Sequence, residues 1–336
     1  MTGPATVGRN EGALLADIGG SNARFAWLMP QGHLCHVRTL AVAAYPGVVE
    51  AVRSYLATLP AELGGAGAAP RCAALAVACA VEGDKVELTN SSWCFSQRAL
   101  CEALGLQRLR VLNDFEALAL SLPRLQGHQL RSHAAELPRP QGTLAVIGPG
   151  TGLGVAGVVQ TAQGWQALPG EGGHATLAPA DAFESELLAH VRRDLSHVSA
   201  ERLLSGMGLP RLHRAVAAVH GQVAAELGAE ALVEAALAGS DVLCVRTLES
   251  FCALLGGFAG NVALTLGARG GVYIGGGIVP RLGDFFFRSQ FRQRFEAKGR
   301  FESYLQAIPT ALITDTLAAL GGAAVALEPS AAHKPA

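Results

Sequence analysis

Two hydrophobic rhythms alternate along this chain. Short, continuous apolar runs bounded by glycine read as buried strands, and longer stretches with apolar residues every three or four positions read as helices. Ala13 to Met29 reads as strand, tight turn, strand, with Gly19-Gly20-Ser21-Asn22 in the turn and Asp17 near the end of the first strand. A helix is expected over 47–58, a glycine- and alanine-rich loop over 61–70, an apolar strand over 72–80 and another strand near 86–89. Ser96 is placed to cap a short helix. The strand Leu109 to Leu112 then runs through Asn113-Asp114 into a helical pattern over 116–122, which Pro123 punctuates.

The second half opens as the first does. Leu144 to Val159 is again apolar strand, glycine-rich turn, apolar strand, and a shift of 130 residues lays Gly150-Thr151 on Gly20-Ser21. A polar turn follows at 169–174. Helices are expected over 181–195, where Asp181 and Glu184 form a capping-box pattern, and over 209–219, 229–238 and 241–267. The strand 271–274 enters Gly275-Gly276-Gly277. A strand at 308–313 and a helix at 316–327 come next, and a disordered tail is expected over 328–336. This order predicts an α/β protein in two similar halves. The small domain spans 1–122 and the large one 123–313, with the terminal helix of 314–327 packing back on the first.

Composition narrows the function classes. With 336 residues and a net charge of −1, and with no basic block, the chain lacks a nucleic-acid footprint. Mean hydropathy of +0.30 raises the question of a membrane span. The best candidate, 251–268, continues a helical pattern that carries Arg246, Glu249 and Asn261, so a buried helix packed through small residues fits better. The stretch from Met1 to Gly12 has no apolar core of a leader, and a soluble, cytoplasmic protein with no membrane partner is expected. Seven cysteines without a C-x-x-C pair argue for reduced thiols, against both a disulfide framework and a zinc site.

Candidate chemistry gathers at strand ends and turns. In α/β sheets ligands sit at the carboxyl ends of strands. Asp114 there could cap the following helix, or bind a hydroxyl and take its proton beside Asn113. The two glycine turns could be plain hairpins or phosphate cradles, since glycine permits positive φ and close approach of backbone N–H groups, and Ser21 and Thr151 add hydroxyls. No lysine lies near either turn, so neither is a Walker A loop. A literal G-x-G-x-x-G at Gly152, Gly154 and Gly157 would mark a dinucleotide site only if a helix followed, and Val155 to Val159 reads as strand. Asp17 could satisfy turn amides or hold Mg²⁺ through water. Glu171 and His174, flanking two glycines, suit vicinal hydroxyls. Glu201 is either a solvated first-turn residue or a ligand, and Gly275 to Gly277 either a bulge or a place for a flat purine to rest on backbone.

Eight segments in order, DIGGSNARF (17–25), LTNSSW (88–93), LNDF (112–115), GPGTGLG (148–154), LPGEGGH (168–174), ERLLSG (201–206), GGVYIGGGIVPR (270–281) and KGRF (298–301), carry a family likeness. From Leu14 to Leu327 the chain resembles the bacterial glucokinases, a branch of the hexokinase, actin and Hsp70-like ATPase fold. The resemblance implies two ribonuclease H-like (actin-like ATPase) domains with a cleft between them, and ATP- and Mg²⁺-dependent phosphorylation of the 6-hydroxyl of glucose in glycolysis. It makes Asp114 the general base and gives the sugar hydroxyls to Asn113, Glu171, His174 and Glu201, with Asn90 a further contact. Gly19, Gly20, Ser21 and Asn22 become the first phosphate turn, with Asp17 at the metal. Gly150, Thr151 and Gly152 become the second, and Gly275, Gly276 and Gly277 approach the adenosine. A homodimer is implied as well. Ser21 stands where threonine is usual, Ala80 where proline is common, and Pro149 where a small residue is more familiar; none removes a reacting group.

Three rivals remain at this stage. A kinase for another hexose or an amino sugar is one, although the related zinc-bearing branch would show a cysteine cluster. A sugar-responsive regulator without catalysis would usually carry a DNA-binding segment, for which the short tails leave no room. An NAD-binding dehydrogenase rests only on the Gly152 match.

Overall fold

The computed structural model describes residues 12–133 and 137–328. Of the tail expected over 328–336, all but Glu328 lies outside the described residues. The chain divides into two compact units. One holds the described residues up to Leu122, Ala162–Ala167 and the chain from Thr316; the other holds Pro123–Thr161 and Leu168–Asp315.

In the first unit the apolar runs become strands β1 (Ala13–Ile18), β2 (Asn22–Leu28), β3 (Leu34–Ala41), β4 (Cys72–Val77), a short pair β5 (Lys85–Glu87) and β6 (Cys94–Ser96), and β7 (Arg108–Asn113). The sheet runs β3-β2-β1-β4-β7. β1, β4 and β7 are parallel, and Ile18 pairs with Val77, which pairs with Asn113, so the three strands end level. Helices α1 (Val48–Leu56), α2 (Gln97–Leu104) and α3 (Asp114–Ser121) complete the run. Strand alternation sends Leu14, Ile18, Phe25 and Leu75 into a core with Tyr55 and Trp93, and Leu15, Ala26 and Ala74 to the opposite face.

In the second unit β8 (Leu130–Ser132), β9 (Thr143–Pro149), β10 (Leu153–Thr161), β12 (Gly271–Ile274) and β13 (Thr310–Ile313) run in the order β10-β9-β12-β13-β8; β11 is Gly164–Leu168. β9 and β10 form an antiparallel hairpin, and β12 is parallel to both β9 and β13. A hairpin followed by two parallel strands is the pattern of β1-β2, β4 and β7, so the duplication expected of two ribonuclease H-like units is present. β10 continues as strand through Gly154 and Gly157, with no helix after the turn, and this removes the dinucleotide-fingerprint reading.

The helices of this unit are α4 (Ala182–Val191), α5 (Leu209–Val219), α6 (Ala229–Ala238), α7 (Val242–Leu266), α8 (Val279–Leu282), α9 (Asp284–Arg288), α10 (Phe291–Glu296) and α11 (Glu302–Gln306). α7 is long and apolar enough to cross a membrane. It is the core helix of this unit, with Leu248, Phe251, Cys252, Leu255 and Ala259 fully buried. A Cβ at Gly256 or at Gly260, one turn apart, would collide with the carbonyl oxygens of Phe291 and Phe295, so these glycines let α10 lie backbone to backbone on α7. Lys298 closes the contact, donating to Gly257 O and Asn261 Oδ1 at 2.8 Å each. The expected helix over 181–195 stops at Val191, and only half of its capping box forms. Asp181 accepts the Glu184 N–H at 2.8 Å, but the Glu184 carboxylate takes Ala180 N–H and Arg294 instead of the cap amide.

Helix α12 (Ala318–Ala326) belongs to the first unit and lies behind α3. Its Leu320 and Ala323 fill the face of Leu15, Ala26 and Ala74, and Arg108 donates to Leu327 O at 2.8 Å to satisfy its carboxyl end. A Cβ on Gly322 would collide with Ala117 O of α3, whereas Gly321 faces nothing within 4 Å. Gly322→Ala is therefore expected to destabilise by about 1–3 kcal/mol through overpacking, and Gly321→Ala to stabilise by about 0.5–1 kcal/mol through helix propensity. Urea melts of the two variants check the pair, and equal effects would contradict this packing.

Histidine burial sets an acid limit. His213 is 1% exposed; its Nδ1 lies 2.9 Å from Thr247 Oγ1, whose proton goes to Leu243 O, so Nδ1–H donates. Nε2 has no partner, and burial holds the ring's pKa below the ordinary histidine value. His133, packed among Phe286, Phe287 and Phe291, is held at about 4 by burial, then by Arg292 and Arg131. Both are neutral when folded, while the unfolded chain binds protons near pH 6.5, so their contribution is complete above about 6.5 and falls below it. His213→Asn is expected to flatten the fall of Tm between pH 6.5 and 4.5. A variant that tracks wild type at every pH would place that titration elsewhere.

Candidate active site

The first unit brings its candidates to one sheet edge. β1 ends in Gly19–Ser21, where Gly19 N–H donates to Asn22 O at 2.9 Å and Val42 N–H to Ser21 O at 2.9 Å, so the turn is held from both sides. Neither Gly19 nor Gly20 has positive φ. Gly20 is required by crowding, because a Cβ there would lie 2.7 Å from Asn90 O. That contact sets exposed Asn90 beside the turn, a neighbour 70 residues away in the chain. Ser21 and Asn22 are exposed, and Asp17 is half-buried. Burial pushes the Asp17 carboxyl above its ordinary value, and Arg24, its cross-strand partner, pulls the other way.

Level with this turn, β7 delivers Asn113 and Asp114. Asn113, not Asp114, is the helix cap: its Oδ1 accepts Phe115 N–H at 2.9 Å and Glu116 N–H at 3.3 Å. Its Nδ2 donates to Cys79 O at 3.1 Å, which leaves one amide proton for a ligand. Asp114 is therefore the first residue of α3, half-buried at the positive end of the helix, so the helix starts two residues earlier than 116. Its Oδ1 shares the Phe115 N–H at 2.9 Å with the Asn113 cap, and a carboxylate is favoured at this end of a helix.

The second unit gathers the rest. The turn Gly150–Gly152 joins β9 to β10, with Thr151 exposed. Glycine is again a matter of space: at Gly152 a Cβ would collide with Glu201 Oε2, which accepts Leu153 N–H at 2.9 Å. Gly206 N–H donates to Gly150 O at 2.8 Å. The polar turn is pinned to β10 by a bridge from Glu171 to Val155, and Gly173 lies so close that a Cβ would collide with Leu153 O. His174 thus stands between two carboxylates, Nε2 4.0 Å from Glu171 and Nδ1 3.9 Å from Glu201. The three residues are brought together from positions 30 apart in the chain.

Gly275–Gly277 follows β12 directly beside the second turn. Gly275 N–H donates to Ile147 O at 2.8 Å and Ile278 N–H to Pro149 O at 3.1 Å. Gly276, at φ +77°, is the site glycine that needs its conformational freedom, and a Cβ there would also collide with Pro149 O. Pro149 is the last residue of β9 and not a member of the turn. Ile278 also lines a cavity of about 330 Å³ with Leu209, Val233, Leu237, Glu230 and Arg281. Sequence reading missed this cavity and the Gly206 contact. The apolar spacing of Ala229, Val233 and Leu237 on α6, with Glu230 and Glu234 beside it, was the available signal.

Among the described residues no three His, Cys, Asp or Glu side chains gather to hold a metal. Asp17, in β1 two residues before the Gly19–Asn22 turn, could serve a hard cation held mainly by other oxygens and water.

A duplicated hairpin-and-parallel-strand unit, with a glycine turn in each copy, defines the class of the actin-like ATPases. Comparison narrows this: a family model described as Glucokinase matches residues 14–330. The glucokinase of Chromobacterium violaceum is 51% identical over 314 residues, covering 94% of this chain and 88% of that protein. A crystal structure of a glucokinase from an Antarctic psychrotroph is similar with a TM-score of 0.85 and 38% identity, covering 94% of this chain and 98% of that one. A ROK family glucokinase from Streptomyces griseus, solved in complex with glucose and AMPPNP, shares the fold at a TM-score of 0.61 and 18% identity, over 93% and 98% of the two chains. The chain belongs to the glucokinase family.

The raised Asp17 pKa has a measurable sign. In the folded protein its ionised form is disfavoured, so the charge destabilises above its pKa and the difference vanishes where it is protonated. Asp17→Asn is expected to melt higher than wild type at pH 8, with the gap shrinking towards pH 3. A gap of the same size at both pH values would show that burial of the charge is not its source.

Proposed function

We propose that this chain is a glucokinase that transfers the γ-phosphoryl group of ATP to the 6-hydroxyl of glucose, with Asp114 as general base. The observation that carries the assignment of roles is the placement of Asp114: first residue of α3, next to the capping Asn113, and level on the parallel edge with the Gly19–Asn22 turn. Phosphoryl transfer asks the protein mainly for positioning and charge neutralisation. The Asp114 carboxylate orients the sugar hydroxyl and accepts its proton late, which requires no raised pKa.

The remaining amide proton of Asn113 donates to a neighbouring hydroxyl, and Asn90 adds a further contact. Glu171 and Glu201 accept sugar O–H groups, with His174 between them a donor or acceptor as its tautomer allows. Backbone N–H groups of Gly19 to Asn22 and Gly150 to Gly152, with the hydroxyls of Ser21 and Thr151, bind phosphate oxygens. Asp17 would hold Mg²⁺ through water, and the ion would supply neutralisation of the phosphate charge when bound. Gly275 to Gly277 let the adenosine lie close to backbone, and the cavity behind Ile278 takes the purine. Selectivity among hexoses follows from polar groups that a wrong epimer leaves unpaired. A cytoplasmic homodimer acting on glucose and ATP, with no nucleic-acid or membrane partner, completes the reading.

ADP release with Mg-ATP over a panel of hexoses and amino sugars tests it. Glucose is expected to give the highest kcat/KM. Asp114→Ala is expected to lose roughly 10²–10⁴-fold in kcat while still binding glucose by calorimetry. Turnover of another sugar alone would move the substrate and keep the mechanism, and glucose binding without turnover by wild type would leave a regulator.

A further inference from the structure

Glu201 makes more contacts than a sugar ligand needs. Its Oε2 accepts the N–H of Leu153, the residue that follows the second phosphate turn, at 2.9 Å, and lies against the backbone of Gly152. The segment that carries it is fastened to the same turn at the other end, where Gly206 N–H donates to Gly150 O at 2.8 Å. Ser205 stiffens that segment: its hydroxyl donates to Glu201 O at 2.8 Å and accepts Gly208 N–H at 3.0 Å. The other oxygen, Oε1, faces His174 Nδ1 at 3.9 Å. The Glu201 side chain is 24% exposed, against 62% for His174 and 64% for Glu171, so of the three it is the one embedded in the scaffold.

We infer that Glu201 is a positioning residue for the nucleotide as well as a ligand of the sugar, so that one carboxylate couples the two substrates. The inference rests on the glucokinase reading, which assigns Glu201 to sugar and Gly150–Gly152 to phosphate. The chemistry is that of a divided acceptor: a carboxylate offers about four lone-pair sites, and here one oxygen serves the turn while the other serves the sugar. A hydroxyl bound at Oε1 immobilises the side chain. The same immobilisation orders the Leu153 N–H and the turn before it, so phosphate then meets a cradle whose ordering has already been done. Linkage makes the effect reciprocal: nucleotide on the turn steadies the carboxylate for sugar by the same factor.

The test is calorimetric binding of Mg-AMPPNP, with and without saturating glucose, to wild type, Glu201→Gln and Glu201→Ala. In wild type, glucose is expected to tighten AMPPNP by about fivefold or more, and AMPPNP to tighten glucose equally. Glu201→Ala is expected to bind AMPPNP about tenfold more weakly without any sugar present, because a charge-assisted hydrogen bond to the turn is gone. Glu201→Gln keeps an acceptor for Leu153 N–H, so it recovers AMPPNP affinity while glucose binding stays weakened. AMPPNP affinity of Glu201→Ala equal to wild type, with glucose binding lost, overturns the coupling and leaves the glucokinase reading intact. Failure of wild type to bind or phosphorylate glucose removes that reading itself. Should Glu201→Ala not fold, Gly152→Ala tests the link from the other side: its Cβ displaces the carboxylate, so glucose affinity should fall, and unchanged glucose affinity overturns the inference.

Discussion

The level ending of three parallel strands is the constraint on which the first unit depends. Because Ile18, Val77 and Asn113 pair in register, the turn after β1 and the helix start after β7 open on one edge of the sheet. The first turn of α3 presents its positive end on that edge, level with the turn after β1. Asp114 is useful because of that register. A slip of one residue in β7 would turn its side chains to the other face of the sheet and carry the start of α3 out of level with the turn after β1. The terminal helix guards the register from behind, since Gly322 lets α12 lie directly on α3 and Arg108 of β7 binds the carboxyl end of α12.

The second unit solves the corresponding problem with different supports. Its glycine turn is held by a carboxylate, Glu201, and by the backbone of Gly206. The turn of the first unit is held by Asn22, Val42 and contact with Asn90. Two copies of one topology thus keep the same turn at the same place by unrelated contacts. The functional demand is for a fixed turn, and any stiff neighbour can meet it.

Strand order, the two hairpins and the long buried helix were legible because they rest on local pattern: apolar runs, glycine between them, and a helix with charges on one side only. What the pattern could not carry was which of two adjacent polar residues does which task. Asn113 and Asp114 are both good caps, and only the geometry at the end of β7 makes Asn113 the cap and Asp114 the first helical residue. Glu184 shows the same limit. Its spacing from Asp181 writes a capping box, but a half-buried Arg294 110 residues away offers a charged partner and takes it. Glycine carries a similar ambiguity. The turn glycines permit positive φ, yet of the site glycines only Gly276 adopts it, and at Gly20 and Gly152 it is Asn90 and Glu201 that leave no room for a Cβ. Crowding by distant residues has no local signature.

That distinction bears on how these turns tolerate change. A glycine needed for φ resists every side chain equally, because the strain lies in its own backbone. A glycine needed for space resists only in proportion to what its neighbour can yield. The Asn90 neighbour of Gly20 is backbone and Cβ, which cannot move without the loop, whereas the Glu201 neighbour of Gly152 is the far end of a side chain. The two glycine turns therefore differ in kind: the first is rigid against its own unit, and the second is adjustable through one carboxylate. If either turn is to register a ligand at the Glu171, His174 and Glu201 cluster, the adjustable one is placed to do so, because its support belongs to that cluster.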